Sequence, residues 1–123
     1  MREIKFRGFG KDEKGKHWIY GNLLDEKLIG LVAIQDEKCH VWEVDPETVG
    51  QYTGMLDCNG KEIYEGDIVS SDFWRGIICM YNACWCAINE SRGDILSLFD
   101  WRGKLSVIGN IHDNPELLEV EHD

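Results

Sequence analysis

The chain is 123 residues long, 43% hydrophobic and 29% charged, with 13 Lys and Arg against 23 Asp and Glu and a formal charge of −10. That length suits one domain around a single core, no run of about 18 apolar residues offers a membrane span, and the acid surplus argues against direct nucleic-acid binding, which needs clustered cations to neutralise phosphates. Five cysteines, an odd number, and a charged start (MREIKFRGFG) in place of an apolar leader point to a cytoplasmic protein with reduced thiols, not a disulfide framework.

Apolar and polar residues alternate from the start. Ile4 and Phe6 interleave with Lys5 and Arg7, KDEKG supplies a turn, and KHWIY returns with Trp18 and Tyr20 on one face, the pattern of a hairpin. Residues 1–20 hold six cations (Arg2, Lys5, Arg7, Lys11, Lys14, Lys16) against three acids (Glu3, Asp12, Glu13), a net +3, which leaves −13 for the remainder. Lys5 and Arg7, on the polar face, make a basic edge suited to an acidic surface on a second copy; a solvated hairpin face is the plainer reading. LIGLVAIQ then forms a nearly all-apolar strand, Asp36-Glu37 a turn, and KCHVWEV a strand with Cys39 and Val41 opposite His40, Trp42 and Val44.

In VDPETVG, Asp45 can cap a helical turn and Pro46 presets the backbone at its first position, so a short helix is expected near 45–49, ended by Gly50. Next comes QYTGMLDCNGKEIYEGDIV, residues 51–69. A calcium loop fails on register, because counting from Asp57 puts Gly60 at the fourth position and Ile68 at the twelfth. Asn59-Gly60 fits a two-residue hairpin turn with two positive backbone angles, and Glu65-Gly66-Asp67 a second tight turn leading into Ile68-Val69. Gln51, Tyr52, Thr53, Tyr64 and Glu65 then lack an architectural duty. They are the candidate partner-binding residues, with Gln51, Tyr52, Tyr64 and Glu65 expected at or near the surface.

Two strands follow in residues 74–89, then the loop NESRGD, then strands ILSLFDW and KLSVIGNI joined through Arg102-Gly103. Asn114-Pro115 opens a second short helix near 115–119, whose Leu117 and Leu118 would close the core. The fold class is mainly β: a small antiparallel sheet or partly open barrel built from hairpins. Trp42, Trp85 and Trp101 read as core or half-buried sheet residues. Cys84-x-Cys86, with Cys79 five residues earlier, has no companion pair at zinc-ligand spacing, so the cysteines are expected to be mostly buried and metal-free.

No nucleophile elbow, GxGxxG or GxxxxGK[ST] is present, and His112-Asp113, adjacent on a strand, would face opposite ways. Neither an enzyme nor a cofactor is expected. Five tryptophans and four tyrosines exceed the needs of one small core and are interface-anchoring types. The reading is a non-catalytic protein that binds another protein, either its own copies or a host or phage factor. The alternative is an acidic inhibitor imitating a nucleic-acid backbone, hinted at by Glu116, Glu119, Glu121 and Asp123.

MREIKFRGFGKDEKGKHWIYGNLL, VDPETVGQYTGMLDCNGKEIYEGDIV and VIGNIHDNPELLE together resemble the YopX family, small proteins encoded by bacteriophages, prophages and plasmids. The resemblance covers nearly the whole chain and is most specific in the middle block. It implies an accessory role in a phage or prophage, a setting in the bacterial host cytoplasm, homo-oligomeric assembly, and an SH3-like barrel in the second half that EGDIV opens. It implies no activity and no catalytic residues. Residues 70–104 depart from the family pattern, so no role passes to Cys79, Cys84 or Cys86. Residues 1–123 then read as one domain with an N-terminal hairpin region, 1–44, and a barrel-like region, 50–112.

Overall fold

The computed structural model describes residues 5–12, 14–26, 31–72 and 74–118. The chain divides into two compact units that meet in sequence at Tyr52 and Thr53. The first contains β1 (Phe6–Asp12), β2 (Gly15–Glu26), β3 (Leu31–Gln35), β4 (Val41–Glu43) and the start of β5 (Gly50–Leu56), ordered β4-β3-β2-β1-β5 with antiparallel pairing throughout. The expected first hairpin is there, with Arg7 opposite Tyr20 and Phe9 opposite Trp18. Ile19, Ile34 and Val44 are its buried core, and Phe6, Leu23, Val32, Trp42 and Val49 pack against them. Cys39 departs from expectation. It has a φ of 66° in the turn before β4, because the Asp36 carboxylate gathers the Lys38 and His40 N–H groups and closes the loop two residues before the strand begins.

Strand β5 carries the chain into the second unit, where its end hydrogen-bonds β6 (Glu62–Tyr64). There β7 (Asp67–Ser71), β8 (Trp74–Tyr81), β9 (Cys84–Asn89), β10 (Asp94–Ser97) and β11 (Ser106–Asn110) form an open antiparallel sheet in the order β10-β9-β8-β7-β11. Ile63, Val69, Ile78, Ala87, Leu98 and Leu105 are its core, and Trp85 and Trp101 lie half-buried against them. The fold is mainly β, with open antiparallel sheets. ILSLFDW is strand only to Ser97. Beyond it the chain turns: Trp101 N–H bonds to the Ser97 carbonyl and Lys104 N–H to that of Trp101, tucking Leu98 and Leu105 inward.

The helical segments are short 3-10 turns, Pro46–Thr48 and Pro115–Leu118. Asp45 caps the first as its sequence implies, accepting from Glu47 N–H at 3.1 Å. Thr48 then ties that turn to β1: its hydroxyl donates to the Asp45 carbonyl at 2.6 Å and accepts from Phe9 N–H at 2.8 Å. The second turn buries none of its residues, so Leu117 and Leu118 are half-buried and do not close the core. Its backbone is used instead, the Leu117 carbonyl accepting from the Arg75 guanidinium at 3.0 Å.

Two glycines constrain the chain for different reasons. Gly60 has a φ of 82° with open space where a Cβ would stand, whereas a Cβ on Gly21 would meet the Gln35 carbonyl oxygen. Gly60→Ala should therefore cost about 1–2 kcal/mol, the backbone term alone, and Gly21→Ala a larger amount because β2 and β3 must separate. Urea unfolding of both variants checks this; equal losses would mean the strands part without cost.

Candidate functional site

The candidate residues of the 51–69 segment divide between the two units. In the first, Gln51 is half-buried opposite Phe6. Tyr52 is 8% exposed, with its N–H on the Lys5 carbonyl at 2.8 Å and the Lys5 ammonium 5.3 Å from its ring centroid. In the second unit, Thr53 is 1% exposed; its hydroxyl donates to the Ile63 carbonyl at 2.8 Å and accepts from Met55 N–H at 3.2 Å, which locks β5 to β6. Tyr64, 2% exposed, donates its hydroxyl to Glu62 at 3.2 Å, and Glu65 is half-buried. The surface expected for Tyr52 and Tyr64 is thus overturned. Adjacent residues are buried together here, Thr53 beside Tyr52 and Ile63 beside Tyr64, so both faces of the chain are covered and neither ring reaches solvent.

The turns of this segment are built by carboxylates. Asp57 accepts from Asn59 N–H at 2.8 Å, Lys61 N–H at 2.9 Å and Val107 N–H at 2.9 Å. The turn is consequently a three-residue loop, with Asp57 N–H on the Lys61 carbonyl and Gly60 N–H on that of Asp57. Only Gly60 of the Asn59-Gly60 pair takes a positive φ, a correction to the two-residue turn. Asp67, 2% exposed, accepts from Tyr64 N–H at 2.8 Å and closes the Glu65-Gly66 turn. Burial alone would raise the Asp57 pKa, but the three backbone N–H groups of Val107, Lys61 and Asn59 outweigh it and hold the carboxyl below its ordinary value.

Of the two residues proposed for self-association, Arg7 is 5% exposed, its guanidinium carbon 4.5 Å from the Trp18 ring centroid. It is not part of an exposed basic edge, because an arginine stem packs on aromatic surface while its planar head stacks on the ring. Lys5 is half-buried and borders a cleft of about 510 Å3 in the first unit. Trp18, Tyr20 and Trp42 give the cleft aromatic walls, Asn22 and Gln35 supply amides, and Asp36 and Glu37 bring carboxylates. Tyr20 is 44% exposed. Asp36 is held in place by the Trp42 indole N–H at 3.0 Å and by the N–H groups of Lys38 and His40. The indole N–H, foremost, keeps its carboxyl below the usual range. The sequence marked Asp36-Glu37 only as a turn; pairing of β1 with β2 and β2 with β3 brings that turn beside residues 5 and 18–22, and no local signal announces it.

Three cysteines, Cys39, Cys58 and Cys84, are exposed, Cys79 is half-buried and only Cys86 is buried. The expectation of mostly buried thiols fails because Cys39 and Cys58 sit in turns and Cys84 opens β9 at a hairpin tip. His112 and Asp113 lie in a turn organised by Asn110, whose side-chain oxygen accepts from both of their N–H groups. Of the acidic run, Glu116 is exposed, and Glu119, Glu121 and Asp123 lie outside the described residues. Among the described residues no helix is long and apolar enough to cross a membrane.

Two comparisons relate this chain to known proteins. The family model described as YopX protein matches residues 5–119, and the chain belongs to the YopX family. The crystal structure of protein EF1440 from Enterococcus faecalis is similar in fold, with a TM-score of 0.58 at 24% identity over 97% of this chain and 100% of that one. No curated protein matches.

Removing either buried ring should be a stability event. Tyr52→Ala and Tyr64→Ala are each expected to cost about 3 kcal/mol in urea unfolding, the scale of a large core ring lost to a cavity; losses below about 1 kcal/mol would return these residues to the surface. Asp57 adds a pH dependence. Its folded pKa lies below the unfolded value of about 3.9, so its contribution is complete above that value and is lost as pH falls through the folded one. The stability difference between wild type and Asp57→Ala should accordingly be largest near neutral pH and shrink on acidification.

Proposed function

We propose that this protein is a non-catalytic accessory protein of a phage or prophage, acting in the bacterial host cytoplasm by binding another protein, its own copies included. The supporting observation is the cleft of the first unit. Its volume of about 510 Å3 falls in the range of binding clefts, and its Trp and Tyr walls with a few polar groups are the residue types that anchor interfaces. Lys5 at its border keeps the self-association reading, now without Arg7. Candidate anchors move accordingly from the 51–65 segment to Tyr20, Lys5 and Glu37. Membership of the YopX family supports the mobile-element setting.

The test is capture of partners from a lysogenic host together with light scattering of the purified chain. Lys5→Glu with Tyr20→Ala should reduce capture, or the mass of a self-associated particle, by about tenfold or more while the melting temperature stays put. A chain that is monomeric at low salt and captures nothing would overturn the reading. Should the captured partner be released by competing duplex DNA and not by the cleft substitutions, the acidic mimic of a nucleic-acid backbone takes its place.

A further inference from the structure

Three thiols share one face of the β8–β9 hairpin. Asn82 and Ala83 have φ values of 50° and 63°, the two positive angles of a type I′ turn. That turn sets Tyr81 opposite Cys84, Met80 opposite Trp85 and Cys79 opposite Cys86. Opposed residues lie on the same face, and the period of two adds Cys84 to that face. The Trp85 carbonyl accepts from Leu98 N–H at 3.0 Å, so the peptide groups of Trp85 point away from β8 and Met80–Trp85 is the non-hydrogen-bonded pair. One step along, Cys79 and Cys86 form a hydrogen-bonded pair with Cα atoms about 5.5 Å apart. A disulfide spans about 4.4–6.8 Å between Cα atoms. Cys84, diagonal to Cys79 at about 7–8 Å, falls outside that reach.

We infer that Cys79 and Cys86 are a dithiol modification site that a peroxide oxidises to a cross-strand disulfide. Cys79 is half-buried and Cys86 buried, so Cys79 is the sulfur that meets the oxidant. Its thiolate attacks a peroxide oxygen: an S–O bond forms, the O–O bond breaks, and hydroxide leaves and takes up a proton as water. The sulfur is oxidised by two electrons and the peroxide reduced by two. Cys86 sulfur then attacks the sulfenic sulfur, forming S–S as S–O breaks, and the hydroxyl leaves as water with the Cys86 thiol proton. Two thiols and one hydrogen peroxide become one disulfide and two waters.

The surroundings set the rate and the lability. Burial first, then the neighbouring charges of Cys86, Glu65 and Glu90, push the Cys79 thiol above its ordinary pKa, and burial with Cys84 does the same to Cys86. Little thiolate is present at neutral pH, so the site responds to peroxide slowly. Cβ atoms across such a pair stand about 4.5–5.5 Å apart, at the wider end when the pair is hydrogen-bonded. That exceeds the roughly 3.5–4.5 Å of disulfides, so the two strands must shift to close the bond, and a strained bond of this kind is readily reopened by thiols.

The experiment treats the full folded chain with hydrogen peroxide, blocks remaining thiols with iodoacetamide and maps peptides. Trypsin releases residues 76–92 as one fragment, and chymotrypsin after Tyr81 and Trp85 puts Cys79, Cys84 and Cys86 on three separate pieces. The expected product is a fragment two hydrogens lighter whose chymotryptic pieces 76–81 and 86–92 stay joined through Cys79 and Cys86 until dithiothreitol is added, while 82–85 is released with Cys84 alkylated. Cys84→Ser should leave it unchanged, and Cys86→Ser should stop at a dimedone-reactive Cys79. Sulfinic acid at Cys79 without the linked fragment, or a Cys84–Cys86 link in its place, would overturn the proposal; the wild-type map decides this even if a variant fails to fold.

Discussion

The second unit depends on the Asp57 carboxylate. Its two oxygens accept three backbone N–H groups, two within its own turn and one, on Val107, fifty residues further along the chain. Side-chain oxygens in this position replace the water that a tight turn would otherwise need, and an ionised acceptor makes each bond stronger than a neutral one. The Cys58 N–H on the Leu105 carbonyl, at 2.9 Å, extends the same junction. Through it the β5–β6 turn and the start of β11 are fixed to one another, and Leu105, 1% exposed, is delivered into the core beside Ile63 and Val69. Asp67 repeats the device at the next turn. In an acidic chain, these carboxylates are structural parts rather than surplus surface charge.

Aromatic residues follow a related economy. Arg7 over Trp18, Lys5 over Tyr52, Arg102 over Phe99 and Lys104 over Trp101 place four cations on ring faces. Such contacts let long basic side chains cover apolar surface while keeping a favourable electrostatic partner. An aromatic count that suggested an interface is therefore largely absorbed by half-buried packing, and what is left for a partner is narrower: the cleft walls around Tyr20, and singly exposed residues such as Phe99 and Val41. The net charge divides unevenly too. Residues 1–52 carry 8 Lys and Arg and 10 Asp and Glu, giving −2, and residues 53–123 carry 5 and 13, giving −8, which sums to the −10 of the chain. The acidity that a basic partner would meet belongs to the second unit, not to the body as a whole.

The sequence by itself determined the elements whose physics is local. Alternation in KFRGFG and KHWIY, the Asp45-Pro46 cap and the glycines at Gly60 and Gly66 act over a few residues, and the first hairpin, the 3-10 turn and the positive angles of these two glycines stand where those signals put them. Family membership was legible for the same reason, since the quoted blocks are continuous. Only the tertiary structure decided which side of a strand is inside. Tyr52, Thr53 and Tyr64 look like surplus polar and aromatic groups in sequence, yet Tyr52 meets Lys5 and Thr53 bonds Ile63, partners that strand pairing supplies, and Tyr64 is buried although its hydroxyl bonds the nearby Glu62. The cleft is of the same kind, assembled from residues 5, 18–22, 35–37 and 42 by sheet register. Burial is a sum over long-range neighbours, and where both faces of a strand are covered, as at Tyr52-Thr53 and Ile63-Tyr64, the linear pattern cannot report it.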